Sequence, residues 1–463
     1  MESNTTGTHA MTIGANDIGD SPLLTDLYQL NMMQAYLANG MTESASFEMF
    51  VRRLPPGRSF LMAAGLEQVV DYLEQLHFSD QELAYLERSK RFDRRMLDHL
   101  ADLRFTGDVD AMPEGTVFFP DEPLLRITAP LPLAQLLESR LINILQFQSL
   151  IATKAARVML AAPGKALVDF GLRRAHGAEA GLMAARASYV AGFAGTATVL
   201  ADMLWGIPVY GTMAHSYVQA HEDEVTAFTS FARARPDGLT LLIDTYDPLA
   251  AARKVVQLVP RLKAEGITVQ SVRLDSGDLV PLSQEVRHIL DAGGCESVKI
   301  FVSGGLDELS IAALLSAGAP IDGFGVGTAL TTSQDQPVLD IVYKLQEYAG
   351  VGRRKRSAAK QTWPGRKQVW RRHRPDGTMA GDTLSLAGAR VDGEPLLVPV
   401  MRKGRRVAEP PPLAALRTRA ARGLASLPEN LRDVATPGGY PVTIGPDLLA
   451  LTEEVDRRIA AHG

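Results

Sequence analysis

The sequence predicts an α/β protein whose central part consists of repeated strand and helix units around a parallel sheet. Between residues 165 and 332, short apolar runs of strand length alternate with longer runs of helical periodicity, which is the pattern of βα units. Most of the short runs end in a polar or glycine-rich cluster. In a parallel α/β barrel the carboxyl ends of the strands meet at one face, and that face holds the active site. We therefore expect these clusters to share one pocket.

The segment before this sheet predicts an N-terminal α/β domain over residues 21–163. A polar entry, an amphipathic run and a closing glycine predict a capped helix at 21–40, and residues 46–52 alternate like a strand. Further helical periodicity, two strand-like runs and a long helix follow. Their bounds are 61–76 and 80–86 for the helical runs, 117–119 and 124–128 for the strands, and 132–162 for the long helix. Pro163-Gly164 ends that helix, and we place a domain boundary there.

Six apolar runs predict the strands of a barrel domain over residues 164–348. They are 166–168, 207–210, 239–243, 269–272, 298–302 and 321–324. The clusters that follow them are Asp169-Phe170-Gly171, Gly211-Thr212, Asp244-Thr245, residues 273–278, Ser303-Gly304-Gly305 and residues 325–328. Past Gly350 the rhythm of helices and strands fades. Residues 349–463 therefore predict a small, loop-rich and basic C-terminal region that partly packs back on the N-terminal domain.

Composition excludes several classes of protein. The chain of 463 residues exceeds a typical single domain, and its net charge of −5 argues against general nucleic-acid binding. Residues 1–20 have neither a basic start nor an apolar run, so we expect a flexible tail and no signal peptide. No apolar stretch reaches the roughly 18 residues that cross a bilayer. The single cysteine excludes an internal disulfide and fits a reducing compartment, so we expect a cytoplasmic enzyme.

Two glycine clusters are candidates for phosphate binding. Ser303, Gly304 and Gly305 follow one predicted strand, and Gly327 and Thr328 follow the next. Glycine lets backbone amides approach an anion closely, and a following helix adds its positive terminus. Each cluster alone is equally consistent with a tight strand-to-helix turn. Their occurrence after successive strands favours phosphate, because many barrels bind phosphate between their last two strand loops.

One predicted strand ends in a cation and two carboxylates. Arg273 is suited to clamp a planar carboxylate at two points, and Asp275 and Asp278 are suited to hold Mg²⁺ through water. The alternative is an Arg and Asp ion pair that only orders the turn. The helix that follows also makes Asp278 a plausible first-turn charge.

Phe170 and Arg173 follow the first strand of the barrel domain. Phe170 offers an aromatic face to a heteroaromatic ring, although packing inside the barrel is the more common role of a single phenylalanine. Arg173 is suited to meet a phosphate. We expect it to be buried at the strand end, where an arginine needs an anionic partner.

His215 lies four residues after Gly211 and directly before a predicted helix. A phosphate carried on His215 would therefore lie near helix amides, whereas the alternative is an ordinary surface or capping histidine. His221 is six residues further along, a spacing that does not share one helical face, and no His and carboxylate set matches a zinc motif. In the first helix, Thr25 or Asp26 is expected to cap and Tyr28 to be half-buried.

Taken together in this order, these segments resemble the nicotinate phosphoribosyltransferase family. The matching elements are TDLYQL at 25–30, DFGLRR at 169–174, GTMAHS at 211–216, LIDTYD at 242–247, RLDSGDL at 273–279, VSGGLDE at 302–308 and FGVGT at 324–328. The resemblance covers roughly residues 20–370. It implies the fold of type II phosphoribosyltransferases, an irregular, incomplete α/β barrel joined to an α/β N-terminal domain. It also implies a homodimer with the site near the interface.

The resemblance implies roles for individual residues. Tyr28, Thr212 and Arg273 match nicotinate-contacting positions, and we add Phe170 to this pocket. Thr328 matches a phosphoribosyl-contacting position. The remaining predicted phosphate-binding residues are Arg173, Ser303, Gly304, Gly305 and Gly327. His215 matches the histidine that such enzymes autophosphorylate with ATP, and we expect Arg273 and Asp275 to complete the catalytic group.

The implied reaction joins nicotinate to phosphoribosyl pyrophosphate and releases pyrophosphate. Mg²⁺ is expected to neutralise the leaving group, while ATP acts as co-substrate and phosphorylated His215 couples its hydrolysis to synthesis. In nicotinamide-specific relatives, an aspartate stands where this chain has Ala197. Because an aspartate there would repel a carboxylate, Ala197 favours nicotinate over nicotinamide.

Three rival functions remain open at this point. A nicotinamide or quinolinate phosphoribosyltransferase would use the same fold, but quinolinate needs a second cationic pocket for its extra carboxylate. A sugar-phosphate barrel lyase would share the phosphate loops. It would need a Schiff-base lysine or a metal triad at a strand end, and the sequence provides neither. A non-catalytic nucleotide sensor would bind phosphoribosyl pyrophosphate without releasing pyrophosphate.

Overall fold

The computed structural model describes residues 18–358 and 360–462. Of the predicted tail at 1–20, residues 1–17 lie outside the described part, and Ile18–Asp20 form a short 3-10 helix. The remaining elements of the first third are α1 (Leu27–Ala38), β1 (Ser44–Val51), β2 (Leu61–Met62), α2 (Leu66–Gln75), α3 (Asp80–Ser89), α4 (Arg94–Ala101), β3 (Asp108–Ala111), β4 (Val117–Phe118), β5 (Leu125–Pro130), α5 (Leu131–Leu136) and α6 (Glu138–Ala161).

Residues 166–331 contain the βα units that the sequence predicts. They are β6 (Ala166–Asp169), a 3-10 helix (Leu172–Arg174), α7 (Ala178–Ala191), β7 (Gly195–Thr196), α8 (Val199–Trp205), α9 (His215–Gln219), α10 (Glu224–Ala234), β8 (Leu239–Leu242), α11 (Pro248–Ala264), β9 (Val269–Leu274), α12 (Leu279–Ala292), β10 (Lys299–Ser303), α13 (Glu308–Ser316), β11 (Gly323–Val326) and α14 (Thr328–Thr331). Local chemistry fixes several of the helix starts. The Asp247 carboxylate caps α11, for example, with Pro248 in its first position.

The last part of the chain is richer in regular structure than its sequence pattern predicts. It contains β12 (Ile341–Tyr348), β13 (Val351–Gly352), β14 (Lys367–His373), β15 (Met379–Leu386), β16 (Glu394–Pro395), β17 (Val398–Arg402), β18 (Arg405–Arg406), α15 (Leu413–Ala425), α16 (Glu429–Arg432), β19 (Val442–Ile444) and α17 (Pro446–His462). The expectation of a loop-rich region past Gly350 is therefore wrong. Two of these strands, β12 and β17, pair with distant strands of the N-terminal domain, which local periodicity does not report, whereas β14 and β15 pair with each other.

A seven-stranded antiparallel sheet joins the N-terminal and C-terminal parts of the chain. Its strand order is β13-β12-β1-β5-β3-β17-β18, so β12 lies beside β1 and β17 lies beside β3. Large apolar side chains fill the layer between this sheet and its helices. In the C-terminal region, β17 thus packs against the N-terminal strand β3. This region also forms a second sheet, in the order β16-β14-β15-β19.

The central sheet is parallel and curls into an incomplete barrel. Its strand order is β7-β6-β11-β10-β9-β8. The extended segment 207–212 spans the gap between the two edge strands, because Val209 pairs with Thr196 of β7 and the Thr212 hydroxyl donates to the Thr240 carbonyl of β8. The predicted strand at 207–210 is thus reduced to a single bridge.

Several predicted boundaries differ from the observed ones. The predicted helix at 61–76 begins with the short strand β2, and only its second part, α2, is helical. The long helix at 132–162 is two helices, α5 and α6, that meet at Leu137. Asp26 stands at the start of α1 but does not cap it, because its carboxylate accepts a hydrogen bond from Ser139 instead. No helix in the described ranges is long and apolar enough to cross a membrane.

Candidate active site

The curled parallel sheet encloses a cavity of about 570 Å³. The side chains of α/β barrels usually fill the interior in layers, but here small residues on the inner face leave it hollow. Those residues include Ala166, Thr240, Ser271 and Gly323. The cavity runs the length of the strands, and Phe170, Thr212 and Arg273 line its end at the strand carboxyl termini. Three of the four predicted nicotinate contacts therefore lie together.

Arg273 is the central side chain at this end of the cavity. Its Nε donates to Ser303 Oγ at 2.9 Å, and its Nη2 donates to Asp275 Oδ1 at 2.7 Å. Its guanidinium carbon lies 5.6 Å from the centre of the Phe170 ring, within reach of a cation–π contact. Arg273 therefore forms an ion pair with Asp275, which was the alternative to a recognition role, and still lines the cavity, so the two roles are compatible.

Asp275 is held by charge and by hydrogen bonds. Burial acts to raise its pKa, but the Ser303 hydrogen bond and the Arg273 charge outweigh burial and lower the pKa of Asp275 below its ordinary value. The backbone amide of Asp275 donates to Asp244 Oδ2 at 2.7 Å. Asp275 is thus a fixed anion at neutral pH.

His215 faces this anion across the cleft. Its Nε2 lies 3.9 Å from Asp275 Oδ2, and its Nδ1 lies 3.1 Å from the Thr245 hydroxyl. The His215 side chain is 40% exposed, which leaves room for a second molecule beside the ring. His215 is the first residue of α9, whereas the sequence predicted a helix that begins just after it, and α9 has only five residues. A phosphate on His215 would receive little help from such a short helix.

The two glycine clusters lie at the same end of the sheet as Arg273, Asp275 and His215. Gly304 has φ +98° and Gly305 φ +64°, and a β-carbon on Gly304 would lie 2.2 Å from the Asp275 carbonyl oxygen. Only glycine permits that turn, so the loop packs directly on the loop of Asp275. Gly327 and Thr328 follow β11, the neighbour of β10. The two predicted phosphate loops are therefore adjacent at the same end of the sheet.

The predicted support from helix termini is weaker than expected. The Asp307 carboxylate already caps α13, accepting from the Ser310 amide at 2.8 Å, and α14 has only four residues. Backbone amides of the glycine loops remain the available donors. A phosphate at this place would depend on them and on nearby cations.

The position of Arg173 contradicts the prediction that this side chain is buried at the strand end. Arg173 lies in the exposed 3-10 helix Leu172–Arg174 rather than buried at the end of β6. The turn carries it to the surface because Asp169, not Arg173, takes the buried position and accepts hydrogen bonds from Thr196 and Gly171. Burial raises the pKa of Asp169, while those two hydrogen bonds oppose the shift.

Tyr28 lies on α1 and contacts α6. Its hydroxyl donates to Glu138 at 3.2 Å, and burial together with the Glu138 charge raises the pKa of Tyr28 to about 12. The Tyr28 side chain remains about half exposed. Within one chain, Tyr28 is not among the residues that line the cavity of Phe170, Thr212 and Arg273.

The described residues do not form a resident metal site. Within 18–358 and 360–462, no three His, Cys, Asp or Glu side chains come together as a metal-binding group. Asp275 is committed to Arg273 and Ser303, and Asp278 is an exposed residue at the start of α12. The predicted water-mediated pair of Asp275 and Asp278 therefore gains no support from the geometry.

The structure adds two site residues that the sequence analysis did not assign. Asp244 holds the loop of Asp275, and Thr245 contacts His215. Both belong to the strand-end cluster Asp244-Thr245 and to the LIDTYD segment. Their position at a predicted strand end was the sequence signal that could have identified them. It predicted that both residues lie at the face where the strand carboxyl ends meet.

Comparisons with known proteins agree along the chain. Family models of the nicotinate phosphoribosyltransferase (NAPRTase) match it in three parts, the N-terminal domain at residues 23–146, the family core at 165–362 and the C-terminal domain at 388–452. A nicotinate phosphoribosyltransferase of Mycobacterium tuberculosis is 51% identical over 424 residues, which is 91% of each chain.

Two solved structures share the architecture. The crystal structure of human nicotinic acid phosphoribosyltransferase superposes with a TM-score of 0.84 at 31% identity, covering 93% of this chain and 99% of the human one. The crystal structure of a nicotinate-nucleotide pyrophosphorylase from Pyrococcus furiosus gives a TM-score of 0.74 at 26% identity, covering 91% and 99%. The similarity therefore extends through the antiparallel sheet, the curled parallel sheet and the C-terminal region.

Proposed function

Because the chain belongs to the nicotinate phosphoribosyltransferase family, we propose that the cleft at the strand carboxyl ends joins nicotinate to phosphoribosyl pyrophosphate. The chain is a transferase of pyridine nucleotide synthesis, and the products are nicotinate mononucleotide and pyrophosphate. One observation carries the assignment of the site. Phe170 and Arg273 line one end of the cavity, and Asp275 and His215 lie beside them, so that three separate segments of the chain meet there.

Nicotinate fits the carboxyl end of the cavity. We propose that its ring lies against Phe170 and that its carboxylate pairs with Arg273, near the Thr212 hydroxyl. Ala197 lines the same cavity and brings no charge that would repel the carboxylate. This supports nicotinate over nicotinamide as the substrate.

The transfer itself needs little acid or base chemistry. The ring nitrogen of nicotinate forms a bond to C1 of the ribose, and the bond from C1 to the pyrophosphate oxygen breaks with its electron pair going to pyrophosphate. Positive charge develops on the ribosyl group during this step, and Asp275, ionised at neutral pH, lies at the right end of the cavity to stabilise it. Amides of Gly304, Gly305 and Gly327 are the proposed phosphate donors.

Ser303, Thr328 and Arg173 complete the proposed phosphoribosyl group. Ser303 is largely occupied by Arg273 and Asp275, so we assign it mainly to positioning of those two side chains. Thr328 is exposed beside Gly327. Arg173, although on the surface, lies in the turn after Phe170 and is free to reach a phosphate by side-chain rotation.

His215 is the proposed point of coupling to ATP. The Thr245 contact at Nδ1 orients the ring so that Nε2 faces the cleft and Asp275. We propose that His215 accepts the γ-phosphate of ATP as co-substrate, and that hydrolysis of this phosphohistidine drives synthesis. In this scheme His215 does not take part in ribosyl transfer.

We propose that Mg²⁺ enters with the phosphates of the substrates. Mg²⁺ keeps several waters and commonly binds through one or two carboxylates and substrate phosphates. No step of the transfer is assigned to a protein-held metal. The single cysteine, Cys295, which is buried and free, supports a reducing compartment, and we propose the cytoplasm.

A second copy of the chain is the proposed partner. Helix α8 carries four exposed apolar side chains, Val199, Leu200, Met203 and Leu204, and Val199 also lines the cavity. An apolar face of this kind is typical of an interface. We propose a homodimer that covers α8 and brings Tyr28 of the second copy toward the nicotinate pocket, which accounts for its position away from the pocket in a single chain.

A product assay tests the function and the coupling together. The enzyme is incubated with phosphoribosyl pyrophosphate, Mg²⁺ and either nicotinate or nicotinamide, with and without ATP. We expect nicotinate mononucleotide and pyrophosphate, with ATP increasing turnover. For His215→Ala we expect ATP-independent turnover to persist while the ATP stimulation and the label from γ-³²P-ATP are lost.

His221→Ala is the matched control for that experiment. His221 lies six residues away and its Nδ1 contacts the Tyr217 carbonyl rather than the cleft, so both ATP stimulation and labelling are expected to remain. If His215→Ala still incorporated label and responded to ATP, the coupling role would be wrong. If no pyrophosphate were released with any pyridine substrate, the transferase assignment itself would fail.

A further inference from the structure

A buried cluster of three cations and two carboxylates lies outside the group described above. Lys154 and Arg157 come from α6, Arg58 follows β1, Glu308 opens α13, and Asp335 follows α14. The side chains of Arg58, Lys154 and Glu308 are at most 2% exposed, whereas that of Asp335 is 42% exposed. The carboxylate of Asp335 thus covers cations that are otherwise sealed from solvent.

The contacts of Asp335 are those expected of a bound oxyanion. Its Oδ2 accepts from Arg58 Nη1 at 2.6 Å, and its Oδ1 accepts from Arg58 Nη2 at 3.1 Å and from Lys154 Nζ at 2.7 Å. A two-point arginine contact combined with a lysine is a common donor set for phosphate. In addition, Arg58 Nε is buried without a hydrogen-bond partner in the described part of the chain.

The cluster lies next to both proposed phosphate loops. Glu308, which binds Lys154 at 2.6 Å, is three residues after Gly305, so their α-carbons are at most about 11 Å apart. Asp335 lies seven residues after Thr328, at the far side of α14. Helix α6, which carries Lys154, also packs against both α13 and α14, the helices that follow the two glycine loops.

Asp335 lies in the exposed middle part, residues 334–338, of a segment without helix or strand. Residues Gln334, Asp335, Pro337 and Val338 are exposed, and no helix or strand covers 332–340. Ser333, directly before them, has φ +42°, a conformation that costs energy for a residue other than glycine. Residues 334–338 are therefore able to move outward while Leu339, which is buried in the core, stays in place.

We infer that Arg58 and Lys154 form a phosphoryl-binding subsite, which Asp335 fills when no substrate phosphate is bound. A phosphate displaces the Asp335 carboxylate, takes its hydrogen bonds from Arg58 and Lys154, and residues 334–338 move outward. The inference rests on the proposed function, because that function supplies phosphate-bearing substrates at these loops. Arg157 stays with Glu308 at 2.8 Å and with the Val434 carbonyl throughout.

The charges around the subsite favour such an exchange. Burial acts to raise the pKa of Asp335, but the hydrogen bonds and charges of Arg58 and Lys154 outweigh burial and hold the pKa of Asp335 far below its ordinary value. Arg58 and Lys154 therefore favour an anionic partner at neutral pH. A phosphate that carries more negative charge competes with the single carboxylate, at the energetic cost of displacing it.

The test is pyrophosphate binding to the full-length protein, measured by calorimetry. Asp335→Asn removes the internal competitor, so pyrophosphate should bind about 10-fold more tightly than to wild type. Arg58→Gln should weaken pyrophosphate binding by about 10-fold or more, since it removes a two-point contact to a charged group. Glu265→Gln, which alters only a surface ion pair with Arg233, is the control and should match wild type.

A second measurement leaves the cluster intact and applies even if Asp335→Asn folds poorly. Val338 is 57% exposed, and the chain has a single cysteine, which is buried. A fluorophore on Val338→Cys should therefore report movement of the segment. Added pyrophosphate should change its emission, and the change should be absent in the Arg58→Gln background.

Different phosphates identify the source of the bound group. Pyrophosphate, phosphoribosyl pyrophosphate, ribose 5-phosphate and ADP are compared, and the ligand whose affinity depends on Arg58 and Asp335 names the occupant. If affinities for all four are unchanged by both substitutions, or the label does not respond, the inference is wrong. Formation of nicotinate mononucleotide is measured separately, so loss of the subsite is distinguishable from failure of the proposed reaction.

Discussion

The parallel and antiparallel sheets of this chain use their side chains in opposite ways. Phe118, Met33, Met49 and Leu61, all fully buried, are part of the apolar layer of the antiparallel sheet. The parallel sheet has small residues on its inner face and keeps a cavity of about 570 Å³. The parallel sheet is packed against its helices on its outer face, so only its inner face is hollow, and ligand binding is assigned to that face. Substitutions in the two regions should separate stability from ligand binding.

The largest effect is expected in the filled layer. Phe118 pairs with Leu61 across β2 and β4 and is fully buried. Phe118→Ala should lower the free energy of unfolding by about 3–5 kcal/mol, because it removes apolar burial and leaves a cavity. Denaturant titration measures the loss. At temperatures where the variant is folded, the KM for nicotinate should stay at the wild-type value.

Tyr85→Ala is the control for this prediction. Tyr85 lies on α3 of the same domain but is about half exposed, so its removal should cost less than about 1 kcal/mol. Equal losses for Phe118→Ala and Tyr85→Ala would contradict the view that the antiparallel layer is the filled core. A raised nicotinate KM in Phe118→Ala would show that the two regions are coupled.

The second-largest effect is expected from a substitution in the cavity. Arg273→Ala should reduce kcat/KM for nicotinate about 100-fold, since hydrogen bonds between charged groups contribute roughly 1.5–3 kcal/mol. The KM for nicotinate should rise, while the KM for phosphoribosyl pyrophosphate should change less. Steady-state kinetics with each substrate varied in turn measures the split.

Arg273→Lys separates charge from geometry. Lysine keeps the positive charge near Asp275 but lacks the planar two-point donor, so it should recover only part of the loss. An unchanged nicotinate KM in Arg273→Ala would remove Arg273 from the carboxylate pocket. Its role would then be limited to holding Asp275 and Ser303 in place.

The hollow region was the easier one to predict from sequence. Five of the six predicted strand runs correspond to β6, β8, β9, β10 and β11, and the polar clusters after them do meet. The reason is that parallel strands place their carboxyl ends on one face whatever their order. Local patterns are then sufficient to bring Phe170 together with Arg273 and Asp275, even though about a hundred residues separate Phe170 from the other two.

The filled region was not predictable in the same way. Its sheet pairs β3 with β17 and β1 with β12, and hairpin turns or periodicity do not specify pairs so distant. The Arg58 and Asp335 contact spans 277 residues and left no local signal. The prediction that Arg173 is buried was wrong for a different reason. The turn after β6 buries Asp169 and exposes the arginine, and this arrangement depends on the hydrogen bond from the neighbouring Thr196 to Asp169.

The smallest effect sharpens the account of substrate choice within the cavity. Ala197 lines it together with Arg273, so Ala197→Asp adds a carboxylate near the proposed nicotinate carboxylate. We expect kcat/KM for nicotinate to fall about tenfold, a modest loss because the cavity is open to solvent and screens the repulsion. Relative turnover of nicotinamide should rise, since its carboxamide donates a hydrogen bond to the new oxygen. Ala197→Asn has the same shape without the charge and should retain most nicotinate turnover. If Ala197→Asp and Ala197→Asn behaved alike, steric fit rather than charge would decide between the two pyridines at this position.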